Sequence, residues 1–280
     1  MPFRWSLNPY MGCVHRCSFC YVRWFERRAE RPADMRYGTS VRVKVNVADV
    51  LRCELSRPSW RRELVAIGAA TDPYQPAEGM YRLTRRCIDV LGDARTPFSL
   101  ITRGPMIVRD VDVLSRAARR AAVDVSISIA TLDDEVWRRT EPGTAPPRQR
   151  LRAVRALVDA GLDAAVGIAP ILPGISDRPE QLAAVVRAAR DAGATNVWCN
   201  VLHLQPGTRE HFLAGLARHW PALLPRYEAL YARTYLDSRI ANDIRGRVSA
   251  LRRSYEIADR RLVKLEPPPE RQPEQLKLAI

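Results

Sequence analysis

The chain has 280 residues with 46% hydrophobic side chains, enough to bury a core, so disorder along its whole length is excluded. Its formal charge of +14 points to polyanionic partners, but 42 of the 45 basic residues are arginine, a bias that GC-rich codon usage also produces. The first residues, MPFRWSLNPY, carry no apolar secretory core, and no apolar run is long enough to cross a bilayer, so the expected location is the cytoplasm.

In chain order, a first strand is expected at FRWSL (3–7). It is followed at once by Cys13, Cys17 and Cys20, half of the six cysteines in the chain, spaced C-x3-C-x2-C. SVRVKVN (40–46) reads as an edge strand or loop extension, and Asn46 as the N-cap of a helix through VADVLRCEL. Apolar runs at 63–70, 97–102, 123–130, 163–172 and 195–204 then alternate with amphipathic helical patterns, among them MYRLTRRCIDVLG, PPRQRLRAVRALVDAG and RPEQLAAVVRAARDAG. Gly161 and Gly193 stand where helices should end. Six strand–helix units predict a parallel sheet with helices outside it, too few for a closed eight-stranded barrel. Three regions are expected: a core over 1–215, a helical extension over 216–264 and a Pro-rich tail over 265–280.

Clustered thiols in a reducing compartment argue for metal or redox chemistry over a disulfide framework. Zinc would need a fourth ligand, for which His15 and His203 are candidates, but no second C-x2-C knuckle exists. A four-iron cluster held by three thiolates leaves one iron open to a small chelating molecule. In a parallel barrel, ligands gather where strands end. That selects Thr71 and Asp72 after the second strand and Arg103 after the third, a guanidinium suited to a carboxylate. On the fourth strand, the two-residue period sets Ser126 and Ser128 opposite Val125, Ile127 and Ile129, with the serine side toward the lumen. Arg150 is a weaker cofactor candidate, balanced by its reading as a surface helix arginine.

The cysteine motif, with Phe19 before its last cysteine, resembles the signature of the radical S-adenosylmethionine (SAM) superfamily. NPYMGCVHRCSFCY, VKVNVADVL, ATDPYQPAE, ITRGPMIVRDVDVL, SISIATLDDEVWRRTEPGTAPPRQRL and APILPGISD together resemble its spore-photolyase-like subgroup, over about residues 5 to 215. The resemblance implies a partial (β/α)6 TIM-like barrel and a [4Fe–4S] cluster on Cys13, Cys17 and Cys20. It also implies that the open iron chelates SAM, whose one-electron cleavage gives a radical that takes hydrogen from a substrate. An electron donor such as a flavodoxin or ferredoxin follows from the same resemblance. Thr71, Arg103 and Ser128 fall at SAM-contacting positions of that subgroup, Arg103 replacing a usual lysine.

Where spore photolyases carry a hydrogen-donating cysteine, this chain has Ala69, which sets thymine-dimer repair in question. Cys199 is the candidate substitute donor, while Cys53 and Cys87 read as small buried hydrophobes. A nucleic-acid surface is expected from Tyr21, Trp24 and Phe25 among four arginines, and from Arg245, Arg247, Arg252, Arg253, Arg260, Arg261 and Lys264 near the C-terminus. The final EQLKLAI faintly resembles sliding-clamp peptides but lacks their terminal aromatic. Two other classes stand beside the radical enzyme: an iron–sulfur carrier or sensor, and a basic nucleic-acid-binding module with a structural metal.

Overall fold

A computed structural model describes residues 3–257. The strands are β1 (Trp5–Leu7), β2 (Tyr10–Met11), β3 (Arg42–Val43), β4 (Val65–Ile67), β5 (Phe98–Thr102), β6 (Val123–Ser128), β7 (Ala164–Ile171) and β8 (Asn196–Val201). The helices are α1 (Val22–Arg28), α2 (Val47–Leu55), α3 (Ala77–Tyr81), α4 (Leu83–Asp93), α5 (Val111–Ala118), α6 (Asp134–Thr140), α7 (Pro147–Asp159), α8 (Pro179–Asp191), α9 (Thr208–His219), α10 (Leu224–Leu230) and α11 (Ser238–Ser254).

Six strands form one parallel sheet in the order β1-β4-β5-β6-β7-β8, which is their order in the sequence. This is the expected partial (β/α)6 barrel, open between β1 and β8, followed by helices. The predicted strand at 40–46 shortens to β3, which pairs with β2 in a separate antiparallel ribbon. Asn46 does stand at the N-cap of α2, but its side chain makes no capping bond.

Register explains how one sheet serves two environments. Partners in a parallel pair share a face, and successive residues alternate. One face carries Ile67, Leu100, Val125, Ile127, Val166, Ile168 and Val197, all essentially fully buried. It belongs to the same core as Cys87, Ile88 and Leu91 of α4, Val154 and Leu157 of α7, and Val185 and Val186 of α8. The opposite face carries Ser6, Ala66, Ser99, Ser126, Ser128, Ala165 and Gly167, small or hydroxylated residues that leave the inside of the curve open. Ile101, Asp124 and Asn196 share that face, and Trp198 is its largest side chain. Its ring lies across Gly167, where a Cβ would come within 2.5 Å of it, and its indole N–H donates to Ser126 Oγ at 2.6 Å.

Gly161 and Gly193 end α7 and α8 as expected, both left-handed with φ near +80°. The backbone N–H of Gly161 returns to Val158 O at 2.8 Å, and that of Gly193 to Arg190 O at 2.8 Å. α11 covers the β8 edge, with the buried Arg252 donating to Val197 O at 3.3 Å. Among the described residues no helix is long and apolar enough to cross a membrane.

Candidate metal and cofactor site

The loop between β2 and α1 carries the three cysteines and lies at the C-terminal end of the sheet. A loop this irregular needs outside partners for its backbone groups, and three distant segments provide them. Gly12 O accepts from Thr71 Oγ1 at 2.7 Å and from Gln75 Nε2 at 3.1 Å, while Gln75 Oε1 accepts from Val14 N–H at 3.2 Å. Gly143 N–H donates to His15 O at 3.1 Å, and Ser18 N–H to Thr140 O at 2.8 Å. Thr208, opening α9, donates to Cys20 O at 3.0 Å. Glycine is required where backbones meet this closely. A Cβ on Gly143 would lie 2.4 Å from Val14 O, and one on Gly38 would lie 2.3 Å from Cys13 O.

Cys13 and Cys17 are buried and Cys20 is partly exposed, and no disulfide joins any of the six cysteines. Burial pushes the Cys17 and Cys20 thiols up, so these two would release protons on binding a metal. Among the described residues no three His, Cys, Asp or Glu side chains converge on a single ion. A four-iron cluster does not ask for that, since each thiolate binds a different iron. Three reduced thiols on one clamped loop, with no disulfide and no single-ion geometry, are a donor set that fits such a cluster.

Asp72 is fully engaged. Its Oδ1 accepts from Thr102 Oγ1 at 2.6 Å and Tyr74 N–H at 2.9 Å, and its Oδ2 accepts from Arg103 N–H at 2.7 Å. His15 Nδ1 lies 3.4 Å from the same Oδ2, an ion-pair distance without hydrogen-bond alignment. Burial opposes the Asp72 charge, but His15, Thr102 and the Arg103 amide prevail and lower its pKa to about 2. Thr71, likewise, donates to Gly12 O and accepts from Gln75 Nε2 at 2.9 Å. Both residues expected to meet an ammonium group therefore brace the cysteine loop.

Arg103 sits beside the cysteines, its guanidinium 5.5 Å from the Phe19 ring centroid. Its Nε donates to Glu141 Oε1 at 2.6 Å and its Nη2 to Ala169 O at 2.8 Å, which fixes the plane of the group. Burial opposes this charge as well, and Glu141, joined by Cys17 when that sulfur is a thiolate, outweighs it. Arg150 is no surface arginine: its side chain is fully buried. All five of its N–H donors are occupied, by Ala145 O, Ser128 O, Thr144 Oγ1 and both oxygens of Glu141. It ties β6 to the start of α7 and has no donor left for a cofactor.

Ser128 lies on the inner face, one layer beyond Ser126, as the two-residue period predicts. Cys199 does not. It pairs in register with Ile168 and packs against the core on the helix-facing side, opposite its neighbour Trp198. The expected hydrogen donor is thus corrected: its thiol is on the wrong face of the sheet to meet chemistry in the lumen. Cys87 is buried as expected, whereas Cys53 is exposed.

Sequence reading missed Glu141, Gln75, Thr208 and Tyr37. Glu141 lay within a quoted motif but was indistinguishable from the acidic residues around it. Beside Cys20, Tyr21 begins a row of rings: its centroid is 5.9 Å from that of His203, which stacks on the exposed Tyr235 at 5.6 Å. On α11, Arg245 bonds Asn242 and Arg247 bonds Asp243, while Arg252 is buried. Arg260, Arg261, Lys264, the 265–280 tail and its EQLKLAI end lie outside the described residues.

A family model for the radical SAM superfamily matches residues 7–186. The chain belongs to that superfamily. The Mycobacterium tuberculosis protein Rv2578c is 42% identical over 259 residues, 92% of this chain and 76% of its own. A radical SAM Nalpha-GlyT isomerase of Pseudomonas phage M6 is 26% identical over 170 residues, 60% of this chain and 33% of its own. The fold is that of spore photoproduct lyase: a structure of that enzyme with bound AdoMet and dinucleoside spore photoproduct superposes with a TM-score of 0.66 at 16% identity, covering 89% of this chain and 73% of the lyase. The protein is a radical SAM enzyme, and members of the superfamily use a [4Fe–4S] cluster, SAM and a reductant.

Proposed function

We propose that Cys13, Cys17 and Cys20 hold three irons of the cluster and that SAM occupies the fourth, at the open end of the sheet. The observation that carries this reading is the clamped loop of three thiols beside the Arg103 guanidinium. When bound, the two cofactors supply reductive SAM cleavage and hydrogen-atom abstraction. The chain's own residues do the rest. Glu141 and Ala169 O hold the Arg103 guanidinium in a fixed plane, charged and ready for the SAM carboxylate. Thr71, Asp72 and Gln75 keep the loop in place, making them positioning residues. Ser128 lines the lumen wall, and Trp198 closes part of the same face across Gly167.

The substrate we favour contains a planar ring. Tyr21, His203 and Tyr235 form a stacking row that runs from beside Cys20 to the surface, and sequence-tolerant binding of a nucleobase uses such a surface. Arg28 on α1, stacked over Trp24, adds charge for phosphate, while Arg27 is ion-paired with Glu210 at 3.7 Å. The partner reading thus moves from the C-terminal helix, where Arg245 and Arg247 have side-chain partners, toward the barrel mouth.

The test is anaerobic reconstitution with iron and sulfide, then SAM and dithionite, with 5′-deoxyadenosine quantified beside a Cys17→Ala control. Product from the wild type alone supports the reading. An intact cluster without SAM cleavage, with oligonucleotide present or absent, would favour the electron-carrier or sensor alternative. Zinc binding with no cluster would favour the structural-metal module.

A further inference from the structure

Resting on the assignment of Cys20 as a cluster ligand, we propose that Tyr37 is a positioning residue that sets the reduction potential of the metal centre by donating its hydroxyl hydrogen bond to the Cys20 thiolate. The Tyr37 oxygen lies 3.3 Å from Cys20 Sγ. A thiolate has no proton to give, so once Cys20 binds iron the phenol is the only donor of the pair. The tyrosine is 2% exposed, and bulk water does not compete for the contact.

Its placement is built from several directions. The next residue, Gly38, is left-handed and passes so close beneath Cys13 that only glycine fits, which brings the ring up under the cysteine loop. The Arg23 guanidinium lies over that ring, 4.4 Å from its centroid. Arg23 is itself 1% exposed, its Nη1 donating to Ala33 O and Asp34 O, both at 2.7 Å, and its Nη2 lying 3.0 Å from His211 Nε2. A buried arginine held this way has a high desolvation cost, and its stacking fixes the ring and draws electron density from it. The outcome is a rigid, polarised hydroxyl aimed at the sulfur of Cys20, the one partly exposed residue of the three cysteines.

Outer-shell hydrogen bonds orient metal ligands and tune the metal. One donated to a cluster sulfur withdraws negative charge and stabilises the reduced form, raising the potential. The electron comes from an external one-electron reductant such as dithionite. No bond forms or breaks at Tyr37, and its proton stays on the phenol oxygen throughout.

The test is a potentiometric titration followed by electron paramagnetic resonance on the reconstituted full chain, wild type against Tyr37→Phe. Phenylalanine keeps the ring under Arg23 and removes only the hydroxyl. The expected result is a reduced-to-oxidised ratio about tenfold lower at a fixed applied potential, a shift of about 59 mV to more negative values for a one-electron couple. A midpoint within the scatter of the wild-type titrations overturns the proposal. Should the variant load no cluster, resonance Raman of the wild type in light and heavy water decides. An isotope shift of the iron–thiolate stretch supports the hydrogen bond, and its absence overturns it. A Cys20→Ala chain that loads a cluster indistinguishable from the wild type instead refutes the ligand assignment, and this inference falls with it.

Discussion

Replacing Glu141 by glutamine tests how the fold holds Arg103. The carboxylate is fully buried and accepts from Arg103 Nε at 2.6 Å and from Arg150 Nη1 and Nη2 at 3.3 and 3.1 Å. Glutamine fills the same volume but loses the charge, and it turns an amide N–H toward one of two guanidinium donors. Removing one partner of a buried ion pair costs about 3–5 kcal/mol, because the remaining charge stays desolvated. Arg150 is fully buried and Arg103 about four-fifths buried, so little water can enter to compensate. With domain stabilities of about 5–15 kcal/mol, Glu141→Gln should remove about a fifth or more of the total. The corresponding drop in Tm, read by circular dichroism, is on the order of 10 °C.

The pH dependence has a definite sign. Burial would raise the Glu141 pKa, but Arg150 and Arg103 outweigh it and hold it below the usual range. A depressed folded value means the added stability is fully present above the unfolded carboxylate pKa of about 4.3 and is lost as pH falls through the lower folded value. The gap between wild type and variant should therefore stay constant near neutrality and close in acid. A loss of less than about 1 kcal/mol at neutral pH, or a gap that widens in acid, would refute the reasoning.

The remaining predictions are shorter. Gly38→Ala forces a Cβ to within 2.3 Å of Cys13 O at a left-handed residue, so reconstituted chains should hold less iron and sulfide per molecule than wild type. Cys199→Ser should leave 5′-deoxyadenosine formation unchanged, since the thiol faces the helices; a complete loss with the cluster intact would mean that Cys199 contributes to the cofactor site after all. Leu91→Ala, which opens a cavity in a fully buried α4 position, should cost about 2–5 kcal/mol in chemical denaturation with cluster loading retained. Gly167→Ala would push on the Trp198 ring and should change the tryptophan fluorescence of the folded chain without preventing the sheet from forming.

What the sequence determined by itself is what depends on local spacing. Alternating apolar runs and amphipathic stretches specify six strand–helix units, because the two-residue and 3.6-residue periods are written in consecutive residues. Gly161 and Gly193 mark helix ends because only glycine adopts the left-handed turn there without strain. The C-x3-C-x2-C spacing identifies the ligand loop because its donors are neighbours in the chain.

What only the tertiary structure decided is every contact that closes around that loop. Gln75, Thr140, Gly143 and Thr208 meet it from between 61 and 188 positions away, and nothing in their own neighbourhoods distinguishes them. Arg150 lies on an amphipathic helix whose pattern suits a solvent-facing arginine, and it becomes a buried clamp only because Glu141 and Ser128 O converge on it. The face on which Cys199 lies required the register of β7 against β8, since a strand's period separates its two sides without saying which one is inside. Helices and strands are set by hydrogen bonds and periods within reach of a few residues, whereas a site is set by which ends of those elements the packed core brings together.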